Sequence, residues 1–247
     1  MNINPKNIDK INDYYKCLDE FYIYAGDEDD IHVQKSIRAL GLWDAELTSY
    51  LIQTIKPGWK CLDIGSSNGY FAEIMARLSG PTGSVLAFEP MKRLTDAYEY
   101  GKSFNDYSNS APITMYSFGL SDENKNSHVK YFNFNVGGAK VTDDISFNKK
   151  ETVEPVELKR LDSVYDETPD FIKIDIEDYE SFAFKGFSEN TLKCPLIVAE
   201  LGGGQPVSFL NYLNKNYDLY NMAGLKTYTY NIIGNNAVNI IMKRKNQ

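Results

Sequence analysis

The chain has 247 residues, a formal net charge of −8 and a hydrophobic share of 43%. This length fits one large domain, and the apolar share suffices for a buried core. The negative charge argues against nucleic acid as the main partner, because phosphate binding needs a basic surface. No apolar run approaches the ~20 residues that cross a bilayer, and the N-terminus shows no apolar signal segment. We therefore expect a cytoplasmic protein without a membrane span.

The first part of the chain is predicted to be helical. Its apolar residues recur at helical spacing, and Pro57-Gly58 ends the run. The residues that set this pattern are Ile37, Leu40, Trp43, Leu47, Leu51 and Ile55. Within this pattern Trp43 is interpreted as a packing residue. We divide the chain accordingly into a helical N-terminal cap, residues 1–56, and a main domain, residues 57–247.

Short apolar strands alternate with helices from Lys60 onwards, which predicts a parallel sheet covered by helices on both faces. The five predicted strands are Lys60–Gly65, Ser84–Glu89, Ile113–Phe118, Phe171–Ile176 and Leu196–Leu201. After them, Tyr217–Met222 and Ala237–Met242 are predicted to form an antiparallel hairpin, with a turn signal at Gly234-Asn235-Asn236. The predicted fold class is therefore α/β, with a mostly parallel, Rossmann-like sheet that ends in an antiparallel C-terminal hairpin.

A long insertion, about residues 121–164, separates the third and fourth strands. Lys130–Asn135 and Thr152–Leu158 alternate like strands, and Gly137-Gly138 is a turn signal. Connections of this length are uncommon unless they have a function. The insertion is interpreted either as an edge hairpin on the sheet or as a lid over the substrate, and the two interpretations are compatible.

The small-residue turn after the first strand, Asp63 to Gly69, discriminates between nucleotide-binding motifs. A phosphate-binding loop requires Gly-Lys-Ser/Thr, and no such lysine follows Gly69. The dinucleotide fingerprint requires glycine where Ser67 and Tyr70 stand, which disfavours a nicotinamide oxidoreductase. The remaining pattern, Asp-x-Gly-x-x-x-Gly, suits a ligand without phosphates, namely an adenosine that carries an amino-acid tail. S-adenosylmethionine is such a ligand.

Each residue of this turn has a predicted role toward S-adenosylmethionine. Gly65 and Gly69 let the backbone approach the amino-acid tail, and Asp63 accepts from its ammonium group. Polar side chains and backbone N–H donors near a helix N-terminus come from Ser66, Ser67 and Asn68. Glu89 ends the second strand, close to the ~20-residue spacing of a ribose-binding carboxylate, or it only caps the next helix. Gly119, after the third strand, completes the predicted cofactor set.

Charged residues alternate along the fourth predicted strand, where a central parallel strand should be apolar on both sides. Lys173, Asp175 and Glu177 share one side of it, at the carboxyl ends of the strands where ligands bind. Asp175 is the candidate general base, or anchors a divalent metal with Glu177. Alternatively, Lys173 and Asp175 form a structural ion pair and Glu177 opens the next helix. Glu200, ending the fifth strand, faces the substrate or merely caps the next segment. These four residues are the candidate catalytic set, and a metal is left open rather than predicted.

Several segments, in this order, resemble the FkbM-type family of S-adenosylmethionine-dependent methyltransferases: CLDIGSSNGYFAEIMA, VLAFEP, LKRLDSV, FIKIDIEDYESFAFKGF and LIVAEL. The likeness spans roughly Leu42 to Leu201 and is most specific at Ala87–Pro90 and Lys173–Glu177. Parallel strands with an antiparallel end are also the order expected of a class I methyltransferase. The chain departs from the family pattern at Asp178, where the family often has glycine. If that site needs a positive φ, aspartate is strained there.

The resemblance implies O-methylation of a hydroxyl group on a sugar, a glycan precursor in polysaccharide biosynthesis or a secondary metabolite, with S-adenosylmethionine as cofactor. The expected partner is therefore a small-molecule or glycan acceptor. The alternative is a non-catalytic protein that keeps the methyltransferase fold as an S-adenosylmethionine-binding partner or scaffold. Neither the segment after Leu201 nor the insertion before Val153 carries a family motif, and we expect these parts to choose the acceptor.

Overall fold

The computed structural model describes residues 8–202, 204–228 and 237–245. The α-helices in these ranges are α1 Val33–Leu40, α2 Ala45–Thr54, α3 Tyr70–Ser79, α4 Lys92–Gly101, α5 Glu180–Lys185 and α6 Val207–Asn216. The strands are β1 Lys10–Ile11, β2 Tyr14–Cys17, β3 Phe21–Tyr24, β4 Lys60–Ile64, β5 Ser84–Phe88, β6 Ile113–Tyr116, β7 Gly119–Leu120, β8 Lys125–Phe132, β9 Asn135–Thr142, β10 Glu151–Lys159, β11 Phe171–Ile174, β12 Leu196–Leu201, β13 Tyr217–Asn221, β14 Lys226–Thr227 and β15 Val238–Arg244. None of the described helices has the length and apolar character needed to cross a bilayer.

The central sheet runs in the order β14-β13-β15-β12-β11-β4-β5-β6. The strands from β12 to β6 pair in parallel, whereas β15 is antiparallel to both β12 and β13. All four residues of β11 are buried, as expected of a central strand covered on both faces. The predicted α/β class with a mostly parallel sheet and an antiparallel C-terminal pair is confirmed. β15 enters between β12 and β13, and the predicted turn at 234–236 lies outside the described residues.

The segment before α1 contradicts the predicted helical cap. Lys10–Tyr24 forms a three-stranded antiparallel sheet, β1-β2-β3, in place of a helix. In β3 every second residue is buried, beginning with Phe21, and this period of two favours a strand. The helical spacing in the sequence begins only at Ile37, within α1. Residues of β3, α1 and α2 share one apolar core with α3, so this part of the chain packs directly against the central domain.

The insertion forms a separate sheet in the order β7-β10-β8-β9 and does not extend the edge of the central sheet. Both predicted strands are present, as β8 and β10. The predicted turn at Gly137-Gly138 is wrong, because the chain turns at residues 133–134 and the glycine pair lies within β9. A Cβ at Gly137 would lie 2.9 Å from Val33, so close packing against α1 explains this glycine better than a turn does. One face of the sheet packs on the beginning of α4.

The backbone that follows β4 lies very close to the backbone that follows β11. Gly65 follows the strand with φ +78°, and a Cβ there would lie 1.9 Å from the carbonyl oxygen of Asp175. Asp175 in turn donates its backbone N–H to the carbonyl oxygen of Ile64 at 3.0 Å. Glycine is required at this position, because any side chain would force β4 and β11 apart where the charged residues lie.

Replacing Gly65 with alanine is expected to disrupt the joined ends of β4 and β11. The substitution combines an unfavourable φ with a clash against backbone. We expect the free energy of unfolding, measured by urea denaturation, to fall by at least about 3 kcal/mol. Gly224→Ala is the matched control, since Gly224 has φ +76° but a Cβ there meets nothing within 4 Å. It should cost only about 1 kcal/mol, and equal losses in the two variants would contradict the close approach.

Candidate active site

A cavity of about 270 Å³ lies at the carboxyl ends of the central strands. It is lined by the turn after β4, by β9 of the insertion and by the N-terminal segment. The predicted cofactor residues that line it are Gly65, Ser66, Ser67, Asn68, Glu89 and Gly119. The candidate catalytic residues that line it are Lys173, Asp175, Glu177 and Glu200. The structure therefore brings most of both sets together in one space.

Two of the predicted cofactor residues, Asp63 and Gly69, do not line this cavity. Asp63 is fully buried, and its Oδ2 accepts a hydrogen bond from Ser66 Oγ at 2.8 Å. Gly69 caps α3 with φ +87°, and a Cβ there would lie 2.4 Å from the ring of Tyr98. Both residues therefore shape the turn itself. The contact between Asp63 and the amino group of the cofactor stays a prediction.

Glu89 joins the turn after β4 to the beginning of α4. Its Oε2 accepts the backbone N–H of Ser67, and its Oε1 accepts that of Met91, both at 2.9 Å. The side chain is buried, and burial raises its pKa from the ordinary 4.5 to about 7, although these two N–H bonds oppose the rise. The capping role that the sequence left open is thus observed. It does not exclude a ribose contact, since each carboxylate oxygen can accept more than one hydrogen bond.

Lys173 carries a buried ammonium between two carboxylates. Its Nζ lies 3.4 Å from Asp63 Oδ1 and 3.9 Å from Asp175 Oδ2, and it donates to the carbonyl oxygen of Gly65 at 2.7 Å. Burial alone would lower the pKa of Lys173, but the charges of Asp63 and Asp175 raise it above its ordinary value. The ammonium form therefore persists. The ion pair between Lys173 and Asp175, expected as the structural alternative, is present, with Asp63 as the nearer partner.

The carboxylates of Asp175, Glu177 and Glu200 meet at the edge of the cavity. One oxygen from each lies within 4.8 Å of those of the other two. Burial and neighbouring carboxylates raise the pKa of Glu177 to about 7 and that of Glu200 to about 8. Groups that titrate near neutral pH can accept a proton from a substrate. Three carboxylates also suit a hard divalent cation, although Lys173 already places a positive charge beside Asp175.

The backbone after β11 is strained where it presents these groups. β11 ends at Ile174, earlier than predicted, and Glu177 and Asp178 have φ of 57° and 72°. The departure from the family pattern at Asp178 therefore does place aspartate at a positive φ, at a cost on the order of 1 kcal/mol. Glu177 does not open the next helix, because α5 begins at Glu180. Asp178 Oδ2 accepts from Lys140 Nζ at 2.7 Å, which links this loop to β9.

The residues that close the cavity on its outer side are poorly marked in the sequence. Trp43 lies between α1 and α2 and lines the cavity, whereas its helical spacing predicts simple packing. His32 also lines it from the segment before α1, despite being exposed. Gly137–Ala139 line it from β9. The family resemblance begins near Leu42 and therefore includes Trp43, whereas the glycine pair in β9 resembles only a turn signal.

A mostly parallel sheet in this strand order, with the cavity at its carboxyl edge, is the fold of the class I methyltransferases. Residues 63–219 match the family model of the methyltransferase FkbM domain. This stretch is more than half of the chain, so the chain belongs to the FkbM methyltransferase domain family. Residues 6–109 also match the family model of protein-L-isoaspartate(D-aspartate) O-methyltransferase. A search of curated proteins finds no match.

Three solved structures are similar to this chain at low sequence identity. The methyltransferase FkbM from Methylobacillus flagellatus KT is 16% identical with a TM-score of 0.47, over 79% of this chain and 50% of that one. A putative rRNA-methylase from Clostridium thermocellum is 12% identical with a TM-score of 0.49, over 82% and 95%. An S-adenosylmethionine-dependent O-methyltransferase from Thermotoga maritima is 11% identical with a TM-score of 0.45, over 83% and 67%. The chain thus spans about half the length of the first of these proteins.

Glu200→Gln is expected to stabilise the protein at high pH. The pKa of Glu200 rises from the ordinary 4.5 to about 8 in the folded protein, so folding favours its protonated form. The resulting stabilisation is complete below about pH 4.5 and is lost as the pH rises through about 8, where the crowded carboxylate ionises. At pH 9 we expect the free energy of unfolding of the variant to exceed that of the wild type by about 1 kcal/mol, after allowance for solvent screening. This corresponds to a melting temperature about 2–4 °C higher.

Differential scanning fluorimetry at pH 5 and pH 9 measures this effect, and the difference should vanish at pH 5. Glu189→Gln is the control, because Glu189 is exposed and lies in the loop that leads to the amino end of β12. It should melt with the wild type at both pH values. A Glu200→Gln protein that melts at or below the wild type at pH 9 would contradict the crowding of negative charge around Glu200.

Proposed function

We propose that this protein transfers the methyl group of S-adenosylmethionine to a hydroxyl group of a sugar, a glycan precursor or a secondary metabolite. The observation that carries the proposal is the cluster of Asp175, Glu177 and Glu200, which lines the same cavity as the turn after β4 and Glu89. A hydroxyl acceptor must lose its proton during transfer. Carboxyl groups whose pKa lies near 7 to 8 suit that task at neutral pH.

The residues around the cavity fit S-adenosylmethionine better than a phosphorylated nucleotide. Glu89 is positioned at the end of β5 to accept from ribose hydroxyls, beyond the two backbone N–H groups it already binds. Asp63 Oδ1 is buried 3.4 Å from Lys173 Nζ, and Asp63 supports the turn whose residues Gly65 to Asn68 line the cavity. The turn from Asp63 to Gly69 has no lysine or arginine for a phosphate. When bound, the cofactor supplies an activated methyl group on a sulfonium.

The protein's own groups then orient the acceptor and remove its proton. Asp175 is the proposed general base, and the nearby carboxyl of Glu200 is proposed to share the proton that it accepts. The acceptor O–H bond breaks and its proton passes to this pair, while an oxygen–methyl bond forms and the sulfur–methyl bond breaks. Lys173 is paired with Asp63 and Asp175, and its proposed role is to position them. Glu177 adds negative charge near the acceptor oxygen, which becomes more positive as it forms the bond to the methyl group.

The charge of the molecule supports a small-molecule or glycan acceptor rather than nucleic acid. A net charge of −8 and a carboxylate cluster at the cavity repel a phosphate backbone. The family resemblance supports a role in polysaccharide biosynthesis or secondary metabolism. A divalent metal at the three carboxylates is not part of the proposal, because Lys173 partly neutralises them.

S-adenosylmethionine should bind the wild-type protein in isothermal titration calorimetry. Glu89→Ala should weaken this binding at least about tenfold, because it removes the buried carboxylate that is proposed to bind the ribose hydroxyls. Glu189→Ala is the matched control, since it removes an exposed glutamate far from the carboxyl edge of the sheet. The thermal unfolding of both variants is recorded so that a folding defect is recognised. A wild-type protein that binds no S-adenosylmethionine would refute the proposed function.

Asp175→Asn should retain S-adenosylmethionine binding but lower the rate of methyl transfer at least about a hundredfold, because general bases contribute rate factors of this size. Mass spectrometry of a panel of sugars and hydroxylated metabolites detects the methylated product and S-adenosylhomocysteine. Unchanged product formation would show that the catalytic assignment is wrong. Cofactor binding by the wild type with no product from any hydroxyl compound would favour the non-catalytic binder instead.

A further inference from the structure

An open cleft lies beside the cavity, on the other side of Glu200. Its volume is about 400 Å³, and Glu200 is the described residue that lines both spaces. The cleft is built from the ends of β12 and β13, the beginning of β15 and the first turn of α2. A molecule bound there would contact Glu200, which belongs to the carboxylate cluster of the cavity.

Hydrogen-bonding groups in the cleft are held in fixed positions. Glu200 and Asn239 are direct cross-strand partners in β12 and β15, so their side chains project from the same face of the sheet. Asn239 Nδ2 donates to Asp44 Oδ2 at 3.0 Å, and Asp44 Oδ1 accepts the backbone N–H of Leu47 at 3.0 Å. This chain of bonds ties the N-terminus of α2 to the sheet and orients the amide of Asn239 beside Glu200.

The charge of the cleft is negative. The described residues that line it include three acids, Asp44, Glu46 and Glu200, together with two amides, Asn221 and Asn239, and they include no lysine or arginine. A phosphate or carboxylate on the acceptor would meet like charge here. Neighbouring hydroxyl groups of a sugar ring, in contrast, can donate to carboxylate oxygens and accept from side-chain amides. An ammonium group would be attracted as well.

We propose that this cleft is the acceptor site and that it takes a sugar without phosphate groups, either neutral or amino-substituted, with the reacting hydroxyl at Glu200. The inference rests on the proposed hydroxyl methylation and narrows its substrate class, because it excludes sugar phosphates and nucleotide-linked sugars. Glu46 and Asn239 are then specificity-determining residues. Asp44 is a positioning residue, since it acts by orienting Asn239.

Ligand binding to the protein saturated with S-adenosylhomocysteine tests this inference without relying on turnover. The probes are methyl glycosides of common hexoses and deoxyhexoses, the corresponding amino sugars, and the matching sugar 1-phosphates, each titrated by saturation-transfer NMR. We expect at least one phosphate-free sugar to bind, and its 1-phosphate to bind at least about tenfold more weakly. Equal or tighter binding of the 1-phosphates overturns the inference, and so does the failure of every phosphate-free sugar to bind.

Charge reversal at the edge of the cleft provides the decisive variant. Glu46 is exposed in the first turn of α2, so Glu46→Lys should leave the fold intact. It should tighten binding of the 1-phosphates and weaken binding of the amino sugars, each by about threefold, the size expected of an exposed charge. Glu189→Lys makes the same change in net charge at the amino edge of the sheet and should alter neither.

Asn239→Ala should weaken binding of neutral sugars about tenfold while the Kd for S-adenosylhomocysteine changes less than about twofold, since the amide lies in the cleft and not in the cofactor cavity. The two proposals fail separately. Loss of cofactor binding by the wild type counts against the methyltransferase function. Normal cofactor binding with sugar affinities that Glu46→Lys and Asn239→Ala leave unchanged overturns the cleft assignment alone.

Discussion

The buried ammonium of Lys173 is the interaction on which the arrangement of the site depends. Lys173 and Asp63 are paired residues in the neighbouring strands β11 and β4, and the ammonium also reaches Asp175 and the carbonyl oxygen of Gly65. It therefore joins the ends of both strands at the point where the cofactor turn begins. Removal of one partner from a buried ion pair costs about 3–5 kcal/mol, because the remaining charge is left without compensation. Without Lys173, both Asp63 and Asp175 would lose their cationic partner.

Lys173 carries a single positive charge and cannot balance all the carboxylates near it. Lys140, the next cation, is engaged by Asp178, so Glu177 and Glu200 remain crowded beside Asp175. Burial and, after it, this crowding raise both pKa values, and the cluster is less stable at high pH than an isosteric amide would be. Sites that lower stability in this way are usually retained for function. A cationic group bound beside them would lower both pKa values and release a proton acceptor at neutral pH.

The sequence predicted those parts of the molecule in which residue type alone indicates whether a position is buried. Buried strands such as β11 are recognisable as apolar runs. Lys173 within β11 and Asp175 just after it are conspicuous, because a buried strand should be apolar. The N-terminal strands were hidden because short aromatic strands lack a long periodic pattern, while the helical spacing from Ile37 onward suggested helix for the whole segment. The glycines of β9 resemble a turn signal, and the role of Gly137 depends on contact with Val33, which is distant in sequence. Asp63 and Gly69 belong to the same motif as Gly65 to Asn68 but do not line the cavity, a distinction that residue spacing cannot make.

The N-terminal segment and the insertion are hydrogen-bonded to each other beside the cavity. The fully buried carboxylate of Asp30 accepts the backbone N–H groups of His32 and Gln34 through Oδ1 and that of Val136 through Oδ2. Farther along β9, Lys140 binds Asp178. A lid that opened at β9 would have to break the buried bond from Val136 as well as this ion pair, and a buried charge left unsatisfied is costly. These contacts argue against a lid that opens at β9.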